Sequence, residues 1–457
     1  MPFNDLREFV STLQACHEIK SIDGASAELE IGAVTQIGAE SAKCPAILFD
    51  SIPGFRKGQR VLTNVLANKT RERLLFGVNQ DLTEKDALIA WKDKLKQYRP
   101  VAAANSGHAP VKQNVLAEGQ IDLATLPWLR WQEDEPSACQ HGTLVVTKDP
   151  RSGEIGVASH SFARIDGDTL DARVENGGGI NPVWQEYWAH GKACPVAISL
   201  GHDPALLAAT LTGPPAGTSA GYGIAGWLRG APVEVTDGEY TGLPIPATAE
   251  IVLEGEIERP PQNQAPGPTV KIHRLYFRND PIILATAPFL TSTHGVLASR
   301  SAVLWIELEK RGIAGINAIN HRDWGVTVVA IKQLDEAHVK RVTRALMESF
   351  AGRDLRYAIV VDEDIDPFNL EKVFWAIATR YEPQVALDIV RRLSHEERGV
   401  TGAKEGGGTA NNPGSAAIID ACRPYRWIDK FPRTTDISEE LMKRTVEKWG
   451  KVLERKN

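Results

Sequence analysis

Between about residues 111 and 290 the chain is a succession of short β-prone runs, and this pattern restricts the architecture more than any other feature. Gly142–Asp149, Glu154–Ile165, Pro195–Gly201, Ala231–Thr236, Ala249–Glu256, Thr269–Arg278 and Pro281–Thr286 are bounded by Gly, Pro and Asp. Closely spaced strands with few long helices must either close on themselves or stack in two layers, so the spacing predicts a barrel or a sandwich. One helix interrupts. It starts at Asp203-Pro204, with Asp as cap and Pro at the first helical position, and runs through Leu206, Leu207 and Leu211.

On both sides the pattern changes to mixed α/β. Leu6, Phe9, Val10 and Leu13 form a helical stripe, strands follow at Ala46–Phe49 and Val61–Val65, and helical patterns run through Arg71–Phe76 and Glu84–Lys96. Arg99–Pro110 has linker composition. After 291, Val296–Lys310 reads as a helix, Gly325–Lys332 as a buried strand, and Asp335–Phe350 as an amphipathic helix. Tyr357–Val361 is a strand and Leu370–Thr379 a helix. A loop-rich stretch, 395–435, precedes a last helix at about Ile437–Arg455 with the capping-box pattern Asp436-x-x-Glu439. That helix packs either on its own domain or on a second subunit. The expected division is an α/β domain over 1–110, a β-barrel domain over 111–290 and a second α/β domain over 291–457.

Bulk properties exclude several classes. At 457 residues the chain exceeds one ordinary core, which implies two or three domains. A net charge of −6 with interspersed signs leaves no basic face for nucleic acid or an anionic membrane. Cys16, Cys44, Cys139, Cys194 and Cys422 are odd in number and never spaced Cys-x-x-Cys. A disulfide framework and a structural zinc site are therefore not expected, and a reducing compartment is. The start is charged rather than signal-like, and no apolar run approaches a membrane span. The expectation is a soluble cytoplasmic protein.

Several motifs carry chemistry. Ser159-His-Ser-Phe-Ala-Arg164 ends a hairpin, and a strand arginine at a barrel mouth suits a planar carboxylate or phosphate because its donor fork is bidentate and permanently charged. The alternative is an edge strand with one solvated arginine. Alternation places His160 opposite Ser159 and Ser161, on the side of Phe162 and Arg164. Gly217-x-Ser219-x-Gly221 matches a nucleophile elbow, but Gly213-Pro-Pro-Ala216 before it cannot be a central strand. Gly221–Gly226 matches G-x-G-x-x-G without a strand–turn–helix context. Lys404-Glu-Gly-Gly-Gly-Thr409 is either a phosphate loop or a surface tip. Glu133-Asp-Glu135 reads as a solvated acidic turn. Asp362-Glu-Asp-Ile-Asp366 reads as a cation site or a charged loop before a helix.

Taken in order, the segments resemble the UbiD family of prenylated-flavin-dependent decarboxylases, and within it the ferulic acid decarboxylases. The resemblance rests on Ala27–Val34, Lys112-Gln-Asn-Val-Leu, Leu144–Pro150, Ala225–Glu234, Pro246–Ile257 and Val360–Asp366. It implies an N-terminal α/β domain, a split-barrel flavin domain, and a C-terminal α/β domain with a dimerising end. It also implies prenylated FMN made by a flavin prenyltransferase, a divalent metal (Mn2+) with K+ nearby, and a small carboxylic acid substrate. Ser159, His160, Ser161, Phe162, Ala163 and Arg164 match the family's flavin-contacting segment, Arg164 being the catalytic arginine. Asn181 and Lys404 join them as cofactor contacts, and Ser159 and Asn181 stand at metal-ligand positions. The chain departs from the family there, since the ligand set of asparagine, histidine and glutamate falls on Ser159, Ile180-Asn181 and Gly221. Pro266 and Lys271 stand where two catalytic glutamates are expected. Two functions follow: a decarboxylase of an aromatic or α,β-unsaturated acid with rebuilt acid–base residues, or a non-catalytic relative. For the first, His160, Glu258, His273 and Tyr276 are the proton-donor candidates. Hydrolysis at Ser219 is a third reading.

Overall fold

The computed structural model describes residues 3–173, 181–212, 221–260, 267–288, 297, 300–322, 325–353, 355–391, 415–432, 437–450 and 452. The β-prone middle closes into a barrel of six antiparallel strands. Cys139–Lys148 pairs with Ile155–Asp166, which pairs with Thr169–Arg173, then Thr269–Phe277, Ile251–Ile257 and Cys194–Gly201, and the last returns to Cys139–Lys148. Closure pairs the backbone groups that an open sheet would leave bare at its edges. Register irregularities at Gln140/Thr143, Arg164/Asp166 and Glu254/Gly255 bend the strands as a small barrel requires. Asn114–Ala117 adds to the outside of Thr269–Phe277.

Alternation fills the interior with Val145, Phe162, Leu170, Ala172, Val196, Ile198, Leu253, Val270 and Ile272. The opposite faces of the hairpin carry Leu144, Val146 and Val157, also buried. The helix Pro204–Thr212 packs against that outer side of the hairpin, and Ala205 N–H donates to Asp203 as the sequence predicts. The helix Tyr222–Arg229 starts against Val157. A Cβ on Gly221, whose φ is +87°, would lie 2.3 Å from the Val157 Cβ, so only glycine lets the helix start so close to the strand.

The N-terminal sheet runs Ile19–Asp23, Ala46–Asp50, Arg60–Thr63, Ile282–Leu284, so a strand from beyond the barrel completes it. This sheet and the barrel share one compact unit, spanning described residues up to Val78 and from Ala90 to Val303. Its polar core includes Arg71, fully buried, which donates to the carbonyls of Cys44, Asn64 and Val65 and to Glu18. Glu250 is equally buried and accepts from Arg7 and Arg278.

The second unit holds a five-stranded sheet in the order Ile316–Arg322, Val326–Ile331, Tyr357–Asp362, Ser415–Ala421, Leu387–Arg391, parallel only among its three central strands. Ser415–Ala421 corrects the expectation that 395–435 is loop-rich. Its short run is weak alone but pairs on both edges inside the sheet. Asp362 and Asp364 hold no loop free for a cation, because Arg380 bonds both and Arg423 also reaches Asp362. The last helix is Glu439–Trp449, shorter than its pattern, and its cap is Ser438, whose hydroxyl accepts from Leu441 N–H. No helix among the described residues is long and apolar enough to cross a membrane.

Candidate functional site

The strand Ile155–Asp166 sorts the key segment onto two faces. Phe162 is fully buried in the barrel interior, and His160 lies beside it, its ring 5.2 Å from Phe162 and 5.0 Å from Trp184, edge-on to both. Its Nε2 has no hydrogen-bond partner, and burial pushes its pKa down to about 4, so it is neutral. His160 and Phe162 therefore meet anything on the outer face through backbone alone. Ser159 and Ser161 face outward, Ser159 exposed and Ser161 buried. Ala163 follows them on the same face, also buried.

The outer strip of small side chains has definite ends. At one end Val157 meets the start of Tyr222–Arg229, whose cap residue Gly221 makes no side-chain hydrogen bond and whose dipole favours an anion. At the other end Ser161 Oγ lies 2.8 Å from His141 Nδ1. His141 Nε2 is 3.7 Å from Glu135 Oε1, within ion-pair reach and longer than a hydrogen bond. Glu135 is thus no solvated acid, which corrects the sequence expectation. Burial raises its pKa, but His141 and the Trp131 amide, which donates to it at 2.7 Å, together hold it below the usual carboxylate range. Arg173, opposite Ser161 on the next strand, is engaged with Ser137 and Asp171.

Arg164 lies near the end of the strand, half-buried, opposite Leu170 and so on the side of His160 and Phe162, just before the register shift. Among the described residues its guanidinium has no hydrogen bond or ion pair, and a partly buried cation with a bidentate fork is suited to an anionic ligand.

Other expected positions lie elsewhere in the structure. Asn181 caps the helix Pro182–Ala189, its Oδ1 accepting from Val183 N–H at 2.9 Å, so the oxygen expected to bind metal serves the backbone. No cluster of three or more His, Cys, Asp or Glu among the described residues could hold a metal, and Ser159 offers one neutral hydroxyl. The described carboxylate, imidazole and thiol donors therefore offer no Mn2+ site. Lys271 is paired with Asp168. Of the proton-donor candidates, Tyr276 donates to buried Glu254 at 2.6 Å, and its pKa is raised by burial and then by that bond. His273 stacks on Tyr240 at 4.4 Å, and Glu258 is exposed past the end of its strand. None of these adjoins Ser159 or Ser161 in a hydrogen bond. Lys404, Ser219, Ile180 and Pro266 lie outside the described residues.

Sequence reasoning missed His141 and Glu135. The signal was the hairpin register, because extending the pairing of Thr143 with His160 brings residue 141 level with the Ser161–Phe162 step.

Models of known families match most of the chain. The N-terminal domain of 3-octaprenyl-4-hydroxybenzoate carboxy-lyase matches residues 10–88, its Rift-related domain 103–289 and its C-terminal domain 298–421. A phenolic acid decarboxylase of Bacillus subtilis (strain 168) is 26% identical over 426 residues, covering 86% of this chain and 88% of its own. One from Streptomyces sp. (strain D7) is 25% identical, covering 93% of both chains. Among solved structures, the vanillic acid decarboxylase of Sedimentibacter hydroxybenzoicus in open form superposes with a TM-score of 0.79 at 24% identity, over 99% of both chains. An evolved dimeric form of the UbiD-class enzyme HmfF from Pelotomaculum thermopropionicum, in complex with prFMN, gives 0.77 at 22% identity, over 96% of this chain and 98% of its own. At such identities these two likenesses bear on the fold.

Proposed function

The chain belongs to the UbiD family of carboxy-lyases, and from that premise we propose that it catalyses reversible non-oxidative decarboxylation of an aromatic or α,β-unsaturated carboxylic acid with prenylated FMN. The observation that carries the reading is the half-buried guanidinium of Arg164 on the barrel strand, unpartnered among the described residues. A permanently charged fork in a partly desolvated site holds a carboxylate bidentately and fixes the bond that must break. The outer strip is the matching place for the cofactor. The small, exposed Ser159 lets a flat ring system approach the strand, and the first turn of Tyr222–Arg229 suits a phosphate. When bound, the modified flavin supplies the electron sink for the pair left by CO2. No step is assigned to a metal, because the described donors do not fit one.

The proposal implies a flavin prenyltransferase as cofactor supplier and a homodimer as assembly. The likeness to phenolic acid decarboxylases favours phenolic acids as the substrate class. A second reading, a UbiD-fold subunit without catalysis, draws on the capping role of Asn181. Co-expression with a flavin prenyltransferase separates the two. A coloured protein that releases CO2 from phenolic acids supports the enzyme, and Arg164→Ala should then abolish turnover. A colourless protein inert toward a panel of aromatic acids refutes it.

A further inference from the structure

Resting on the decarboxylase reading above, we propose that Glu135, His141 and Ser161 form a relay that delivers the proton replacing CO2. Ser161 is the catalytic residue that meets the reacting carbon, and His141 and Glu135 are positioning residues that act through it.

The arrangement is built from separate parts of the chain. Ser161 comes from the barrel strand, His141 from its antiparallel partner, and Glu135 from the segment leading into that partner. His141 sits inside the irregularity between Gln140 and Thr143. There the chain is pinned from above, since Thr286 N–H donates to the His141 carbonyl at 3.1 Å. The next residue, Gly142, has φ +75°, and a Cβ on it would lie 2.5 Å from Thr286 Oγ1. The ring is thus held in place rather than hanging from a mobile loop. His141 Nε2 is buried without a hydrogen-bond partner, facing the carboxylate. The carboxylate, 3.7 Å away, fixes which side of the ring faces it. Trp131 flanks the same ring at 6.1 Å, and its amide fixes Glu135.

Position along the strand supports the role. Ser161 lies between exposed Ser159 and Arg164, three residues or roughly 10 Å of strand rise from the latter. Arg164 leaves the opposite face of the strand two residues before its end, so its long side chain reaches a carboxylate near Ser161 only round that end. The positions where the family resemblance places glutamates carry Lys271, bound to Asp168, and Pro266. His160, the nearest other histidine, faces the barrel interior.

The step balances as follows. The C–C bond to the carboxylate breaks, CO2 leaves, and the electron pair stays on carbon. That pair takes the proton of the Ser161 O–H while the imidazolium Nδ1–H moves to Ser161 Oγ, so no alkoxide remains. His141 becomes neutral and regains a proton from solvent before the next turnover. The net change is uptake of one proton and loss of one CO2.

Two measurements test this. In the flavin-loaded enzyme, Ser161→Ala and His141→Gln should each lower kcat by about 10²–10⁴-fold with KM nearly unchanged. The double variant should be no worse than either single one, and Ser161→Thr should recover activity. Independent effects that multiply, or full activity in either variant, overturn the relay. Separately, in the protein without cofactor, ¹⁵N-histidine spectra should show the His141 ring nitrogens shifting in Ser161→Ala and in Glu135→Gln. Resonances indifferent to both substitutions overturn the relay even where the wild type releases no CO2. That last outcome alone refutes the decarboxylase and leaves the relay to the spectra.

Discussion

Substituting His160 by Phe should remove a pH-dependent weakness from the barrel. The folded ring lies between Phe162 and Trp184 with its Nε2 unbonded, and burial pushes its pKa from 6.5 to about 4. Unfolded, His160 takes up a proton as pH falls through 6.5, whereas the folded ring resists until about 4. Between those values the unfolded state binds the extra proton, so folding stability falls with falling pH. The cost is nil above 6.5 and complete below 4. A displacement of about 2.5 pH units at 1.36 kcal/mol each amounts to about 3 kcal/mol. Other groups titrate in the same window. His202 is likewise pushed to about 4 by burial, while burial raises Asp203 to about 6 against the pull of Arg229. Their contributions have opposite sign and occur in both proteins, so the difference between wild type and His160→Phe isolates His160. Phe keeps the planar shape and the edge-on contacts without a proton site. Hydrogen exchange of the Ile155–Asp166 peptide, corrected for intrinsic rates, reads the local opening free energy from pH 7 to 4. The variant's advantage should grow by about 3 kcal/mol over that range. Parallel profiles would mean that the folded ring accepts its proton freely, and the burial argument would be wrong.

Other outcomes follow from particular contacts. Gly221→Ala places a Cβ 2.3 Å from the Val157 Cβ at a φ of +87°, so overpacking and backbone strain together should cost about 2–5 kcal/mol, seen as a lower melting temperature. Wild-type stability would show that the helix start moves freely. Asn181→Ala should cost about 1 kcal/mol of stability by uncapping Pro182–Ala189, with Asn181→Ser recovering most of it. Loss of a bound metal in the alanine variant, measured by elemental analysis, would contradict the capping role. Arg380→Met leaves Asp362 and Asp364 without their shared cation and should destabilise the second unit by about 3–5 kcal/mol, read by exchange at Tyr357–Asp362. Unchanged protection there would show that Arg423 suffices.

Much of the scaffold is legible in the residues. Strand-like runs between 111 and 290 announce a barrel or a sandwich because apolar alternation at that spacing has few ways to be buried. The alternation of Ser159, His160, Ser161 and Phe162 sets which of them face inward, since a strand's period is two. Asp203-Pro204 starts a helix for purely local reasons, and so it is found where the sequence places it. Shorter elements are less legible. Ser415–Ala421 becomes a strand through neighbours distant in sequence, and Ser438 replaces the expected cap because the helix starts where its hydroxyl reaches Leu441.

The sequence by itself determined the family and the strand that carries Arg164, because ordered blocks of residue types survive in one dimension. Tertiary structure alone decided the partners. Periodicity records that a face is buried but not what buries it. The pairing of Ile251–Ile257 with Thr269–Phe277, the start of Tyr222–Arg229 against Val157, and the meeting of Glu135, His141 and Ser161 depend on register. A single irregularity at Gln140/Thr143 brings an acid from a supposed surface turn to a histidine beside the site. That juxtaposition is a property of the folded backbone, and no spacing along the chain encodes it.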